Sequence, residues 1–309
     1  MTQSRIMVCG GAGFVGSHLV DRLLAQGAEI DVVDNLSSGS LSNLADARQS
    51  GGKLKFQHVD VLGDSFAELV SLRRPDVMYL LNTFAPSNSQ TTGAMTAMAS
   101  SIAVLEAARI AGVAKVITTL PAKLLYGEVA VRDLPIKEGH MSESRSVPEI
   151  VARAIADMHS VYRDLSAVEY TVLATGHAYG PRQRPNDGVV AAFIDAHMNG
   201  RAPVLHGTGK QSRDFIFIDD VVDALARAID RAGGLVVNVG TGEQLTIRDV
   251  WKAIAGSTGL TPRSSAARPS DIARLAVSPV RARIQLGWSP FTSFEDGLAT
   301  TRGAWTAAE

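Results

Sequence analysis

The chain has 309 residues, 46% of them hydrophobic, and 30 basic against 31 acidic side chains leave a formal net charge of −1. That length suits one large α/β domain or a domain with a smaller lobe, and the even charge excludes the basic footprint of a nucleic-acid or anionic-membrane binder. Cys9 stands alone, so no internal disulfide forms. A reducing compartment is expected, and with no N-terminal apolar leader and no apolar run of ~18 residues, a cytoplasmic protein with small-molecule partners. The seven histidines lack ligand spacing, so no metal site is expected.

In chain order, the apolar run 6–9 is a buried parallel strand. The turn Gly10-Gly11-Ala12-Gly13-Phe14-Val15-Gly16 follows, and then a helix with Phe14, Val15, Leu19, Leu23 and Leu24 at helical spacing. A second strand ends at Asp34, 18 residues past Gly16. Glycine permits positive φ, close approach to a pyrophosphate and tight helix-on-strand packing, while the helix N-terminus offers free N–H groups to phosphate. The carboxylate of Asp34 suits an adenosine ribose and repels a 2′-phosphate, which favours NAD over NADP.

Residues 35–43 read as a loop. A third strand over 53–59 ends at Asp60-Val61, where Asp60 is either a cofactor contact or a turn residue. A helix over 64–73 leads to a fourth strand over 77–81, whose continuous apolar character fits the centre of a parallel sheet. Residues 95–111 form a buried or interface helix with Met98, Ile102, Leu105 and Ala108 on one stripe. A fifth strand over 113–119, a helix over 146–165 with Ile150, Ala154, Met158 and Val161 on one face, and a sixth strand over 169–174 complete the alternation. This pattern predicts a Rossmann-type doubly wound parallel sheet over residues 1–174. From 175 to 309 the texture changes, predicting a smaller C-terminal substrate-binding lobe interleaved with the last strands of the sheet.

The glycine turn, Asp34-Asn35-Leu36-Ser37-Ser38-Gly39, Tyr179-Gly180-Pro181-Arg182-Gln183, the stretch from Gly207 to Ile216, Asn238-Val239-Gly240-Thr241-Gly242, and Arg268-Pro269-Ser270-Asp271 with Leu286-Gly287-Trp288 resemble the extended short-chain dehydrogenase/reductase family. Within it, the chain is most similar over its full length to NAD-dependent nucleotide-sugar epimerases, dehydratases and decarboxylases. The resemblance implies NAD contacts at Gly10, Gly13, Phe14, Val15, Gly16, Asp34, Asn35, Ser38, Gly39, Asp60, Val61, Leu80 and Asn82. It implies a nucleotide-sugar ligand, with Arg213 and Arg268 on the diphosphate and Asp271 on the ribose; Arg182 and His177 join the same set. An isolated arginine is otherwise an ordinary surface ion pair. The two long helices match those that pair in the family's homodimer. Two stretches depart from the family pattern: Leu80-Leu81-Asn82-Thr83-Phe84-Ala85 alters the wall of the cofactor site, and Ala174 and His177 stand where the family has Arg and Asn.

The larger departure is at the reaction centre. Removing hydride from a carbinol carbon requires a base within hydrogen-bond reach of its hydroxyl, and the family uses a tyrosine with a lysine four residues on. Here the tyrosines are Tyr79, Tyr126, Tyr162, Tyr170 and Tyr179, followed four residues later by Thr83, Ala130, Ser166, Ala174 and Gln183. Matched at Pro148, Glu149 takes the tyrosine's place and Arg153 the lysine's, and Thr119 is the nearest hydroxyl. Lys123 is either an ammonium in the site or an exposed loop lysine. Three readings follow: an altered enzyme with Glu149 as base and Arg153 on the ribose, a non-catalytic NAD- and nucleotide-sugar-binding subunit, or an altered reaction using His177 or Lys123. Glu149 and Arg153 also have the spacing of an ordinary i, i+4 ion pair.

Overall fold

The computed structural model describes residues 4–84, 89–256, 260–268 and 271–307. Seven parallel strands form one sheet: β1 (Arg5–Cys9), β2 (Glu29–Asp34), β3 (Leu54–His58), β4 (Val77–Leu80), β5 (Lys115–Pro121), β6 (Glu169–Thr175) and β7 (Leu235–Val239), in the order β7-β6-β5-β4-β1-β2-β3. All four residues of β4 are buried between β1 and β5, as a continuous apolar run requires. Helices cover both faces. On one, Leu19 and Leu23 of helix Phe14–Ala25 join Val221 and Leu225 of helix Ile218–Arg227. On the other, Phe66, Val70, Val104 and Leu105 pack beneath β1 and β4. The strand order reverses between β1 and β4, and such switch points open a crevice at the carboxyl ends of the strands.

The expected strands occur with ends shifted by at most two residues. The helix stripes differ more. In Gln90–Ala111 the buried side is Ala94, Ala97, Val104, Leu105 and Ala108, and Ile102 points outward. In Val147–Ser166 the buried side is Ala152, Ile155, Ala156 and His159, leaving Ile150 and Val161 exposed. The alanines win because small side chains let these two neighbouring helices approach each other and the sheet closely. By length and composition alone Gln90–Ala111 would also cross a membrane, contrary to the expectation that no stretch would, but one face of it belongs to this core.

Past β6 the chain makes three two-stranded ladders: His177–Tyr179 with Phe215–Phe217, Ser212–Arg213 with Leu245–Thr246, and Val204–His206 with Arg263–Ser265. Between them β7 returns to the main sheet beside β6. Asp214 ties these pieces together. Its buried carboxylate accepts from the backbone of Val277, Thr241 and Gly242 and from the Thr241 hydroxyl. It thereby fixes both the Asn238–Gly242 turn and the neighbouring Arg213.

Candidate ligand-binding cleft

Two cavities open at the carboxyl end of the sheet. The first, about 360 Å³, lies over the switch point. Gly10 has φ +84°, a conformation that favours glycine, and a Cβ on Gly16 would stand 2.1 Å from the Gly10 carbonyl oxygen. This close packing starts helix Phe14–Ala25 immediately after the turn. No side chain caps that helix, so its first N–H groups face the cavity with their partial positive charge. Asp34 closes the adenosine end. Its Oδ2 accepts from Ala12 N–H at 2.9 Å and its Oδ1 from Leu36 N–H at 2.8 Å, the latter aided by φ +58° at Leu36. The fixed carboxylate keeps a free lone pair on each oxygen for a diol. Asn35 lies beside it and donates to Asp60 at 2.7 Å. Asn82 faces the glycine turn, and its buried Oδ1 has no hydrogen-bond partner. Turn, helix end, acid and orphaned amide fit a dinucleotide.

Gly10, Gly13, Phe14, Val15, Gly16, Asp34, Asn35, Ser38, Asp60, Val61, Asn82 and Thr119 all line this cavity. Two marked residues do not. Leu80 is fully buried in the sheet, because alternation along the strand sends its side chain into the core, and Leu81 takes the wall instead. Gly39 packs on the Ala12 backbone, where a Cβ would lie 2.8 Å from the Ala12 carbonyl carbon. Thr83 and Phe84, from the stretch expected to alter this wall, also line it, as do Thr96, Ser100 and Arg184, which no motif had marked.

The second cavity, about 680 Å³, is lined by His177, Arg213, Arg268 and Asp271 together with Lys123. Arg213 is buried, donates to the Ser212 carbonyl at 2.7 Å and forms a very short ion pair with Asp271. Arg268 reaches His206 Nε2 at 3.0 Å. Lys123 and His177 mark the border with the first cavity. Pro121 of β5 pairs in register with Thr175 of β6, and both line the first cavity; Lys123 and His177, two residues further along each chain, line the second. Lys123 makes no hydrogen bond or ion pair with the described residues. Lys123 is exposed, as one of the two expectations for it had it, and partial desolvation at the cavity wall, and then the charge of Arg213, lower its ammonium from the usual lysine range. Burial first, and then the charges of Lys123 and Arg213, hold His177 well below the ordinary imidazole range, and its buried Nδ1 has no partner.

Besides Leu80 and Gly39, three marked residues lie outside both cavities. Arg182, with φ +65°, turns away to pair with Asp21 at 2.7 Å and Asp46 at 3.2 Å. Glu149 is buried at the start of helix Val147–Ser166, accepting from Arg145 N–H at 2.8 Å and Ser146 Oγ at 3.0 Å. The spacing is that of a capping box, with Ser146 at the N-cap and an acid three residues later, but the Ser146 hydroxyl donates to the acid and caps no helix N–H. Arg153 donates to the Leu125 and Ser142 carbonyls and to the hydroxyls of Ser142 and Ser144. Glu149 and Arg153 are not paired with each other either. Each anchors surrounding chain, so neither faces a ligand. Of the three residues marked for the reaction, Thr119 alone reaches the cleft.

The model of the NAD dependent epimerase/dehydratase family matches residues 6–240. The chain is 35% identical over 307 residues to a UDP-glucose 4-epimerase of Mycolicibacterium smegmatis, covering 96% of this chain and 97% of that one. Its fold superposes on the UDP-glucose 4-epimerase of Thermotoga maritima solved with UDP-glucose, with TM-score 0.92 and 31% identity over 98% and 99% of the two chains. The Thermus thermophilus UDP-glucose 4-epimerase in complex with NAD superposes with TM-score 0.88 and 29% identity over 99% of this chain and 100% of that one.

Proposed function

Because the chain belongs to the NAD dependent epimerase/dehydratase family, we propose that it is a nucleotide-sugar enzyme of epimerase or decarboxylase type. In this reading residues 1–174 hold NAD in the first cavity and residues 175–309, interleaved with the last strands, hold a UDP-sugar in the second. The observation that carries it is the shared border: Pro121 and Thr175 on one side, and Lys123 and His177 two residues on, would bring the sugar end of one ligand against the reacting end of the other.

When bound, NAD supplies a reversible hydride acceptor for a sugar carbon. The protein's own residues do the rest. Gly13 and the first turn of helix Phe14–Ala25 seat the pyrophosphate, and Asp34 takes the ribose diol. Asn82 supplies the acceptor its orphaned Oδ1 provides. Arg213, oriented by Asp271, and Arg268 bind the second diphosphate, for which the planar guanidinium fork is suited. Thr119 offers a hydroxyl at the border.

A second reading, a non-catalytic subunit that binds both ligands, is favoured by the engagement of Glu149 and Arg153 in purely structural contacts. Incubation with NAD and a panel of UDP-sugars, followed by NADH absorbance and product mass, separates the two. Turnover that falls in Thr119→Val supports the enzyme. Binding of every sugar with reaction of none leaves the subunit. The exposed Met95, Ile102, Ile150 and Val161 on the two paired helices further support a homodimer, which light scattering at micromolar concentration would detect.

A further inference from the structure

If the second cavity holds a nucleotide sugar, as proposed above, one of its polar side chains is oriented by packing alone. The backbone of His177 is fixed, since its N–H donates to the Asp214 carbonyl at 2.7 Å and His177–Tyr179 pairs in register with Phe215–Phe217. Its ring has no hydrogen bond to any described residue, and the buried Nδ1 is unpartnered. Burial, and then the charges of Lys123 and Arg213, keep the imidazole uncharged. It therefore presents one donor and one acceptor nitrogen, and what it offers a ligand depends on how the ring is turned. An aromatic chain that leads out of the cavity turns it. The His177 ring lies against Phe215, with centroids 6.0 Å apart at 59°. Phe215 is buried and meets Phe294 at 5.8 Å, and Phe294 meets Tyr179 at 5.3 Å. Phe294 opens the last described helix, Phe294–Ala307, and its own place is fixed from both sides. Before it, Asp220 accepts from Phe291 N–H at 2.5 Å, and Ser293 Oγ accepts from Asp296 N–H at 3.1 Å. After it, the helix lies so close to the ladder that a Cβ on Gly297 would stand 2.4 Å from Tyr179 Oη, which donates to the Phe294 carbonyl at 3.2 Å. Neither Phe215 nor Phe294 lines a cavity, so the reach of this helix to a ligand runs through His177.

We propose that Phe294 is a positioning residue for His177, so that the last described helix sets the angle at which the imidazole meets a ligand in the second cavity. A double-mutant cycle on the full chain tests it. Phe294→Leu keeps apolar bulk and loses the ring, Phe294→Tyr keeps the ring, and His177→Gln removes the imidazole. The readouts are the imidazole signals of histidine-labelled protein, with that of His177 assigned by its loss in His177→Gln, and calorimetry with UDP-glucose and with NAD. In Phe294→Leu the His177 signal is expected to move while those of His18 and His58 stay. UDP-glucose is expected to bind about threefold to tenfold more weakly, the scale of one neutral hydrogen bond, with NAD affinity unchanged to within about twofold. Phe294→Tyr is expected to match wild type in both readouts. In the His177→Gln background, Phe294→Leu is expected to cost no further affinity. A His177 signal that does not move in Phe294→Leu overturns the proposal, and so does a loss of affinity that adds in full to that of His177→Gln, because either assigns Phe294 to core packing alone. Failure of UDP-glucose to bind wild-type protein rejects the nucleotide-sugar reading beneath the proposal, and the imidazole signal then decides the positioning role by itself.

Discussion

The glycine turn after β1 and the first turn of helix Val147–Ser166 both begin helices, yet their polar groups are disposed in opposite ways. Neither helix N-terminus has a side-chain cap, but beside Gly13 a neighbouring amide, Asn82, has a buried oxygen with no partner. At Ser146 the acid three residues on accepts two hydrogen bonds, and Arg153 one turn later donates four. Unsatisfied buried polar groups are unfavourable, so a fold retains them where a ligand completes them. By that criterion the first site is open to a ligand, whereas the second is complete by itself. The charged pair at the spacing of the family's missing tyrosine and lysine therefore belongs to the scaffold.

The largest way to break this contrast is to fill the open site. Gly16→Ala would set a methyl group against the Gly10 carbonyl oxygen, backbone against backbone with no flexible neighbour to yield. A loss of about 3 kcal/mol or more in stability, with NAD binding abolished, is expected from urea unfolding and calorimetry. A substitution tolerated in both assays would mean that the turn is not the close-packed cradle described.

Acidification probes the closed region at nearly the same scale. His159, fully buried in helix Val147–Ser166, donates from Nδ1 to the Ile155 carbonyl, which leaves Nε2 to accept from the Thr118 hydroxyl at 2.8 Å. Burial pushes its pKa down to about 4. The unfolded chain takes up this proton near pH 6.5 and the folded chain only near 4, so stability is full above 6.5 and falls as pH drops through that window. The expected loss approaches about 3 kcal/mol at pH 4, because a tenfold difference in proton affinity between the folded and unfolded chain is equivalent to about 1.36 kcal/mol. Unfolding of wild type and His159→Asn across this range isolates it. Parallel curves would remove the role.

Much of the open site was legible in the sequence, because its requirements are local. A strand, three glycines at fixed spacing, a helix and an acid are set by backbone sterics within thirty-five residues, and all but Leu80 and Gly39 of the marked cofactor residues line the cavity. Leu80 failed on side-chain alternation, since a strand end points one residue to the cleft and the next to the core. The second cavity was read less completely. Arg213, Arg268, Asp271 and His177 meet there, but Arg182 turns away because its positive φ aims it at Asp21 and Asp46, which are distant in sequence. Lys123 carried no motif. The sequence left it between an ammonium in the site and an exposed loop lysine, and the folded chain shows an exposed residue that lines the cavity. The helix stripes, read as buried or interface, divide between the two: Leu105 and Ala108 are in the core, while Ile102, Ile150 and Val161 are exposed because smaller side chains pack more closely against the sheet.

The smallest effects sharpen the contrast most, because they separate scaffold from chemistry. Arg153→Ala removes four hydrogen bonds from a charged donor and leaves the Leu125 and Ser142 carbonyls to find other partners, with an expected loss of about 2–3 kcal/mol in stability. Glu149→Gln is milder. Gln keeps one acceptor oxygen for the Arg145 N–H or the Ser146 hydroxyl but loses the carboxylate charge at the helix N-terminus, so the expected cost is about 1 kcal/mol. Neither change should alter affinity for NAD or for UDP beyond about twofold, since neither side chain lines a cavity. A Glu149→Gln protein that unfolds like wild type yet loses turnover would reverse the assignment and restore the carboxylate as base. One with lower stability and intact ligand binding would leave the chemistry to groups at the border, where Thr119, Lys123 and His177 stand.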